Sequence, residues 1–232
     1  MNRKALKTVF LDTVPVLTGY LFLGAAFAIL LSEKTGHGTL WAISMAVFIF
    51  AGSCQYLAVS LIADHASLIS VAIATFLVNA RHIFYGISLL ESYKKAGKKK
   101  PYMIFALTDE TYSLVTQNQP PEGMGKHTYC FLVSLFNHIY WIIGCSLGNL
   151  LRVILPISFE GVEFVLTALF VTMFVEQWLS HKNHLPAIIG VGATVLCLAI
   201  FGRDIFLIPS MVLIAVLLTV SRKTGRRTSE NV

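Results

Sequence analysis

Long apolar runs, separated by short polar segments, make up most of this chain. Seven stretches are predominantly apolar: 14–31, 40–63, 67–90, 129–155, 162–179, 185–201 and 205–220. Most of them approach the roughly 20 residues that a helix needs to cross a bilayer core of about 30 Å. The pattern therefore predicts an all-α fold, a polytopic transmembrane helical bundle.

The composition points to lipid as the surrounding solvent. The chain has 232 residues, of which 56% are hydrophobic and 13% are charged, whereas a soluble domain carries about 25% charged residues. A net charge of +6 would suit nucleic acid, but the lysines and arginines concentrate beside apolar runs, within 3–7, 94–100 and 222–227. Such clusters are typical of cytoplasmic loops. We therefore expect one transmembrane domain, 1–232, in a lipid bilayer, with no nucleic-acid partner.

Two parts of the chain resemble each other at a fixed spacing. "FIFAGSCQYL" at 48–57 aligns with "FVTMFVEQWL" at 170–179, and both contain a glutamine at the same place. The same offset of 122 residues brings Arg81 onto Arg203 without a gap. Many secondary transporters are built from such repeats. The alignment predicts duplicated halves, 14–100 and 129–221, joined by 101–128.

Polar residues interrupt the apolar pattern once in each predicted half. "FGRDIF" separates two apolar runs, so the equivalent "VNARHIF" is also predicted to be a helix break. Backbone exposed at such a break must line protein or water. With a cytoplasmic N-terminus, a re-entrant hairpin turning near 79–82 keeps the lysines of 94–100 on the cytoplasmic side. Residues 101–115 are predicted to form an interfacial helix, or one that dips into the bundle, with Asp109 and Glu110 in its middle.

Arg81 and His82 are the strongest candidates for a binding site. A guanidinium grips a carboxylate through two parallel hydrogen bonds, and ionisable residues inside a membrane are functional candidates by default. Asn79 is a further candidate to complete the contact. The alternative is a structural arginine, bonded to backbone carbonyls freed by the break or to Asp109.

Ser53 and Gln55 lie in the middle of an apolar run and are candidates to contact a substrate ammonium or amide group. Hydrogen bonding between helices is the alternative. Asp109 and Glu110 are candidates for an ion pair with Arg81 or for proton coupling. Because adjacent helical residues point to different faces, these two carboxylates do not face each other. A solvated helix surface is the alternative for both.

Motifs for catalysis, nucleotides and metals do not appear in the sequence. The four cysteines lie in apolar runs without a CxxC pair, which is typical of buried cysteines. His181 and His184 have no carboxylate or cysteine close by in the sequence, so they are a weak metal motif. We expect no enzymatic activity, no cofactor and no metal.

Two groups of small residues are predicted to be close-packing faces. Gly144 and Gly148 have the spacing that lets two membrane helices approach closely, and Gly190 and Gly192 form a second small-residue stretch. We expect at least one of these faces to contact a partner subunit.

Three motifs together resemble a known family. "FAGSCQYLAVSLI", "LVNARHIFYGISL" and "FALTDETYSLV", in this order, are similar to the AzlC-type branched-chain amino acid permeases, also called the branched-chain amino acid exporter family. The resemblance extends from about residue 14 to about residue 220. It implies a bacterial inner-membrane exporter of leucine, isoleucine and valine, driven by the proton gradient. It also implies a small AzlD-type membrane subunit as partner.

Two other functions fit a helical membrane protein. A passive channel would place polar or charged rings along several helices, whereas the polar residues here cluster. A structural subunit that anchors a partner would tolerate changes at its polar residues. A secondary transporter fits the clustered polar residues best, and the resemblance implies aliphatic amino acids as its substrates.

Overall fold

A computed structural model describes residues 3–154 and 184–206 continuously. It also describes residues 164, 167, 168, 171, 174, 175, 178, 179, 209, 210, 212–214 and 216–221. Only the backbone is described at residues 77, 149, 152, 153 and 203–205. The chain divides into two compact units, Met1–Leu166 and Thr167–Val232. The described residues form helices, turns and loops, and none of them lies in a strand.

The first unit contains eight α-helices in its described residues. They are α1 (Arg3–Thr35), α2 (Thr39–Phe48), α3 (Gly52–Ala63), α4 (Leu68–Asn79), α5 (Arg81–Tyr93), α6 (Lys100–Phe105), α7 (Asp109–Gln117) and α8 (Lys126–Ile154), with a 3₁₀ turn at Gly97–Lys99. In the second unit, α9 spans Leu185–Ile205. Among the described residues, three helices, α1, α8 and α9, are long and apolar enough to cross a membrane, and the bent pair α4–α5 makes a fourth when it is counted as one span. The predicted all-α polytopic membrane fold is confirmed.

Helices α1 and α8 pack in parallel and form the centre of the first unit. A Cβ atom added at Gly144 would clash with the Tyr20 carbonyl, and one at Gly148 would clash with the Ala25 carbonyl. The order of these contacts shows that the two helices run in the same direction. The Gly144–Gly148 face is therefore filled by α1 of the same chain. This face is therefore closed to a partner subunit, whereas no atom of the described residues lies within 4 Å of a Cβ added at Gly190 or Gly192. That at least one of the two faces contacts a partner stays a prediction, now for Gly190 and Gly192.

Helices α2 and α3 form a hairpin, which we call the first hairpin. Helix α2 begins just after the C-terminal end of α1. At the tip, the ring of Phe50 lies 6.5 Å from that of Tyr20, in the middle of α1. The Tyr56 hydroxyl then donates to the Leu23 carbonyl at 2.8 Å, nearer the C-terminal end of α1. Helix α3 therefore runs back the way that α2 came, and the predicted crossing at 40–63 is wrong.

Helices α6 and α7 form the second hairpin, which enters from the opposite end. Lys99 Nζ donates to Thr128 Oγ1 at 3.0 Å near the start of α8. Further along α6, the Tyr102 hydroxyl lies 2.9 Å from His138 Nδ1. Helix α7 then returns and ends at Gln117, shortly before α8 begins. The segment expected as one helix over 101–115 is thus two helices that turn back inside the unit.

The tips of the two hairpins meet in the middle of the unit. The rings of Phe50 and Phe105 lie 6.4 Å apart. His138 lies between the hairpins, because its ring stacks on Phe50 of the first hairpin at 4.3 Å while its Nδ1 lies 2.9 Å from the Tyr102 hydroxyl of the second hairpin. Phe50 has a positive φ of 44°, which costs backbone energy in a residue other than glycine. The rings of His138 and Phe105, which pack against Phe50, hold its backbone in this conformation.

The segment formed by α4 and α5 is broken at Ala80, as the sequence predicts, but it does not turn back. The two helices are bent by 46°, which changes the direction of the chain without reversing it. Helix α5 ends with Leu89 and Tyr93 in an apolar cluster that also contains Val9 of α1. The segment therefore crosses the unit from end to end, and the re-entrant elements are the two hairpins.

The basic segments of the first unit lie at one end. The α5 terminus that precedes the lysines of 94–100 packs in the same cluster as the N-terminal part of α1. Tyr129, near the start of α8, donates to Asp12 Oδ2 at 3.1 Å. Positive charge marks the cytoplasmic side of a membrane protein. We therefore expect the N-terminus and the lysine segment to face the cytoplasm. The lysine segment reaches this end because the bent α4–α5 segment crosses the unit, and not through the predicted re-entrant hairpin at 79–82.

This orientation is tested by labelling single cysteines in intact cells. On a background in which Cys54, Cys130, Cys145 and Cys197 are replaced, a Lys98→Cys protein should resist a membrane-impermeant maleimide. A Gly38→Cys protein should react, because residue 38 lies in the exposed loop at the opposite end. Labelling of Lys98→Cys from outside would contradict the orientation.

The described part of the second unit contains a helix break at the place the sequence predicts. Within α9, Gly202 has φ 71° and ψ −179°, a conformation available essentially to glycine alone. Gly202 follows Ala80 by the same offset of 122 residues. The side chain of Arg203 lies outside the described residues, so the duplication of 14–100 and 129–221 stays a prediction.

Candidate functional site

Three helices begin in the middle of the first unit, each just after a break in the described part of that unit. Helix α3 begins after the tip of the first hairpin, α5 begins after Ala80, and α7 begins after the tip of the second hairpin. Each helix N-terminus carries backbone N–H groups without a partner in its own helix, and a partial positive charge. The middle of the unit is therefore suited to negatively charged groups.

Arg81, the first residue of α5, joins the other two helix starts. Its Nη2 donates to Ser53 Oγ of α3 at 2.7 Å. Its Nη1 lies 2.9 Å from Oδ2 of Asp109, the first residue of α7. The Asp109 side chain is 11% exposed and that of Arg81 is 29% exposed, so the pair is largely shielded. We call Ser53, Arg81 and Asp109 the Arg81 cluster.

The placement of Arg81 is unfavourable for its own helix. A cation at a helix N-terminus is repelled by the partial positive charge there, and Ser53 brings a second N-terminus to the guanidinium. Asp109 places a carboxylate against the Arg81 guanidinium at 2.9 Å. Buried charges need such compensation. The site is thus a concentration of positive potential that holds one carboxylate.

The other predicted site residues divide into two groups. Gln55 is fully buried, and its Oε1 accepts a hydrogen bond from Trp141 Nε1 at 2.9 Å. Asn79 Nδ2 donates to the Thr75 carbonyl within α4, and His82 Nδ1 lies 3.1 Å from the Asn79 carbonyl. Asn79 therefore bonds within α4 and His82 bonds across the helix break, and neither of these hydrogen bonds reaches the Arg81 cluster.

Glu110 belongs to a second polar group beside the cluster. The Tyr20 hydroxyl donates to Glu110 Oε2 at 2.7 Å and lies 2.8 Å from Thr108 Oγ1. The two carboxylates at the start of α7 thus point to different partners, as predicted from their adjacency. The same group continues to α8, where Asn137 Nδ2 donates to Thr111 Oγ1 at 3.0 Å.

Sequence reasoning missed several residues around the site, and one of them had a readable signal. Thr108 caps α7, because its side chain accepts a hydrogen bond from the Thr111 backbone N–H. A threonine followed by acidic residues is a recognisable helix start. Tyr85 and Tyr112, whose rings stack at 4.6 Å on α5 and α7, gave no such signal. Their position depends on how the two helices pack.

The described residues include no group of three His, Cys, Asp or Glu side chains placed to hold a metal ion. His181 of the weak histidine motif lies outside the described residues. The polar groups at the breaks are instead a guanidinium, carboxylates, hydroxyls and amides. Such groups bind a small charged or zwitterionic molecule through hydrogen bonds.

A family model described as AzlC protein matches residues 15–155, which include all the helix breaks of the first unit. The chain belongs to the AzlC family. A Bacillus subtilis relative is 39% identical over 94% of this chain and 86% of its own length, and is named branched-chain amino acid transport protein AzlC. The predicted family membership is confirmed. No solved structure matches this AzlC-family chain.

Other relatives agree on the location of the protein. A Haemophilus influenzae relative, 42% identical over 94% of this chain and 89% of its own length, is named a membrane protein. A more distant Escherichia coli relative, 23% identical over 87% of this chain and 82% of its own length, is named inner membrane protein YgaZ. Together with the apolar helices, these relatives confirm the predicted multi-pass protein of the inner membrane.

Proposed function

We propose that this AzlC-family chain is a secondary transporter that exports branched-chain amino acids across the inner membrane. The observation that carries the proposal is the Arg81 cluster, a partly buried guanidinium at the meeting point of three helix starts. The name of the Bacillus subtilis relative supports the substrate class.

The chemistry of the site suits the carboxylate of an amino acid. In this proposal, Arg81 and the Ser53 hydroxyl bind the carboxylate, and the backbone N–H groups at the starts of α3, α5 and α7 add to the positive potential. Asn79 and His82 fix the geometry of the break through their local hydrogen bonds. Gln55 lies on the same short helix as Ser53, and its hydrogen bond with Trp141 anchors that helix to α8.

A transporter is favoured over the two alternatives by the hairpins. Two re-entrant hairpins that meet from opposite ends give each side of the membrane its own movable barrier, which alternating access requires. A passive channel would instead need polar groups along a continuous path. A structural subunit has no need of a partly buried arginine where three helices start, and a central arginine costs about 2.5–3.5 kcal/mol on insertion scales.

The proposal includes a small AzlD-type subunit and coupling to the proton gradient. The AzlD-type subunit would contact α9, where Gly190 and Gly192 leave room for a neighbouring helix. Glu110 is the candidate group that binds and releases the coupled proton, because its carboxyl is hydrogen-bonded by Tyr20 beside the Arg81 cluster.

Counterflow in proteoliposomes tests the function. Vesicles loaded with unlabelled leucine should accumulate labelled leucine, the rate should saturate, and an imposed proton gradient should change its direction. The measurement is made with the chain alone and with the small subunit. Flux that rises linearly with concentration and ignores the loaded leucine would indicate a channel. Flux equal to that of empty liposomes in both preparations would indicate a structural subunit.

A further inference from the structure

Asp109 and the substrate compete for the same guanidinium. In the structure, Arg81 Nη1 is bound to Asp109 Oδ2 at 2.9 Å, at the position where the proposed function places the carboxylate of an amino acid. A second carboxylate brought to this site would leave two negative charges facing one positive charge. In surroundings of low dielectric constant, such an imbalance is strongly unfavourable. The charge of Asp109 therefore restricts which molecules can bind.

We propose that the amino acid inserts between Arg81 and Asp109, with its carboxylate on Arg81 and its ammonium group on Asp109. This inference rests on the proposed function and identifies the group that recognises the amine. One ion pair is replaced by two, and the charge of the site stays balanced throughout. A carboxylic acid without an amine leaves Asp109 uncompensated, and an amine without a carboxylate leaves Arg81 uncompensated. The site selects zwitterions by this balance.

Three observations support the insertion. Asp109 Oδ1 is buried and accepts no well-formed hydrogen bond from the described residues, although the Tyr85 hydroxyl interacts with the same carboxylate. This oxygen is therefore an acceptor suited to an ammonium group. Arg81 and Asp109 are the first residues of α5 and α7, so changes at the two breaks can separate them without unwinding either helix. Thr108, just before Asp109, is extended with φ −107° and ψ 174°, which leaves Asp109 at a bend in the backbone.

The empty state of the protein also follows from this arrangement. Without substrate, Asp109 takes the place of the substrate carboxylate and keeps Arg81 paired. With substrate, Asp109 changes partner from a guanidinium to an ammonium group, and neither charge is left exposed to the apolar interior. Asp109 is thus a specificity-determining residue that contacts the substrate directly.

Calorimetric binding to the purified full-length protein tests the inference with three ligands that share one side chain: leucine, isocaproate without the amine, and isoamylamine without the carboxylate. The parent protein should bind leucine at least about tenfold more tightly than either fragment. Asp109→Asn should weaken leucine binding and tighten isocaproate binding, each by about tenfold or more, because the competing charge is gone. Glu91→Gln, which removes an exposed carboxylate paired with Lys94, should leave the preference unchanged.

A second measurement on the parent protein keeps the test independent of the variant's folding. Isocaproate and methylamine, which has an ammonium group but no competing side chain, should each tighten the binding of the other by about fivefold or more, since together they restore the charge balance. Independent binding of the two fragments, or an unchanged leucine preference in Asp109→Asn, would overturn this inference but not the proposed function. The ammonium group would then be placed on backbone carbonyls at the ends of α2, α4 or α6. Absence of leucine binding to the parent would contradict the proposed function, and the inference with it.

Discussion

Replacing Arg81 with lysine should lower leucine counterflow by a factor on the order of 100 while the protein stays folded. Lysine keeps the positive charge but has no planar fork, so it cannot reach Ser53 and a carboxylate together as Arg81 does. Loss of one or two charge-assisted hydrogen bonds, worth about 1.5–3 kcal/mol each, accounts for that factor. Counterflow in proteoliposomes measures the effect, and a single symmetrical peak on size-exclusion chromatography establishes folding.

The matched control is the same substitution at Arg203, which aligns with Arg81 in the predicted repeat. An acidic residue, Asp204, follows it directly in the sequence, so a charge of opposite sign is always close by in the chain. Arg203→Lys should therefore reduce counterflow much less than Arg81→Lys. Equal losses in the two variants would contradict a special role for Arg81.

Replacing Gly148 with leucine should prevent stable folding of the first unit, and replacing it with alanine should destabilise the unit by about 1–3 kcal/mol. A Cβ at residue 148 would clash with the Ala25 carbonyl and would come within 2.8 Å of the Ala28 Cβ. Because the obstacle is backbone and not the end of a flexible side chain, α1 and α8 would have to separate. The melting temperature of the detergent-solubilised protein measures the loss.

Gly19 provides the control for that experiment. It lies in the same helix pair, and no atom lies within 4 Å of a Cβ added there. Gly19→Ala should leave the melting temperature unchanged or raise it, because alanine favours helix over glycine by up to about 1 kcal/mol. A Gly148→Ala protein as stable as the parent would contradict the close packing of α1 on α8.

Hydrophobicity predicted the helical membrane fold correctly but not the direction of the chain through the bundle. Residues 40–63 read as one span, yet they form a hairpin whose tip includes Phe50. A segment that crosses and one that turns back both need apolar side chains, because both lie within the membrane. What distinguishes them is tertiary: the stacking of Phe50 on His138 and the bond from Tyr56 to Leu23.

The candidate site was predictable in part, for a similar reason. An arginine in an apolar segment is rare enough to indicate function by itself, and Asp109 was one of two structural partners expected for it. Which partner is present depends on the meeting of α5 and α7, and the sequence contains no signal for that contact. Thr108 was a readable helix cap, and with it the break before Asp109 follows from the sequence.

Equilibrium binding of labelled leucine to purified protein tests the central claim most directly, namely that Arg81 holds the carboxylate of the transported amino acid. The parent protein should bind leucine saturably. Arg81→Gln and Arg81→Lys proteins that elute as single peaks with the parent's melting temperature should bind at least about tenfold more weakly. Leucine binding by both variants with the affinity of the parent would contradict the account.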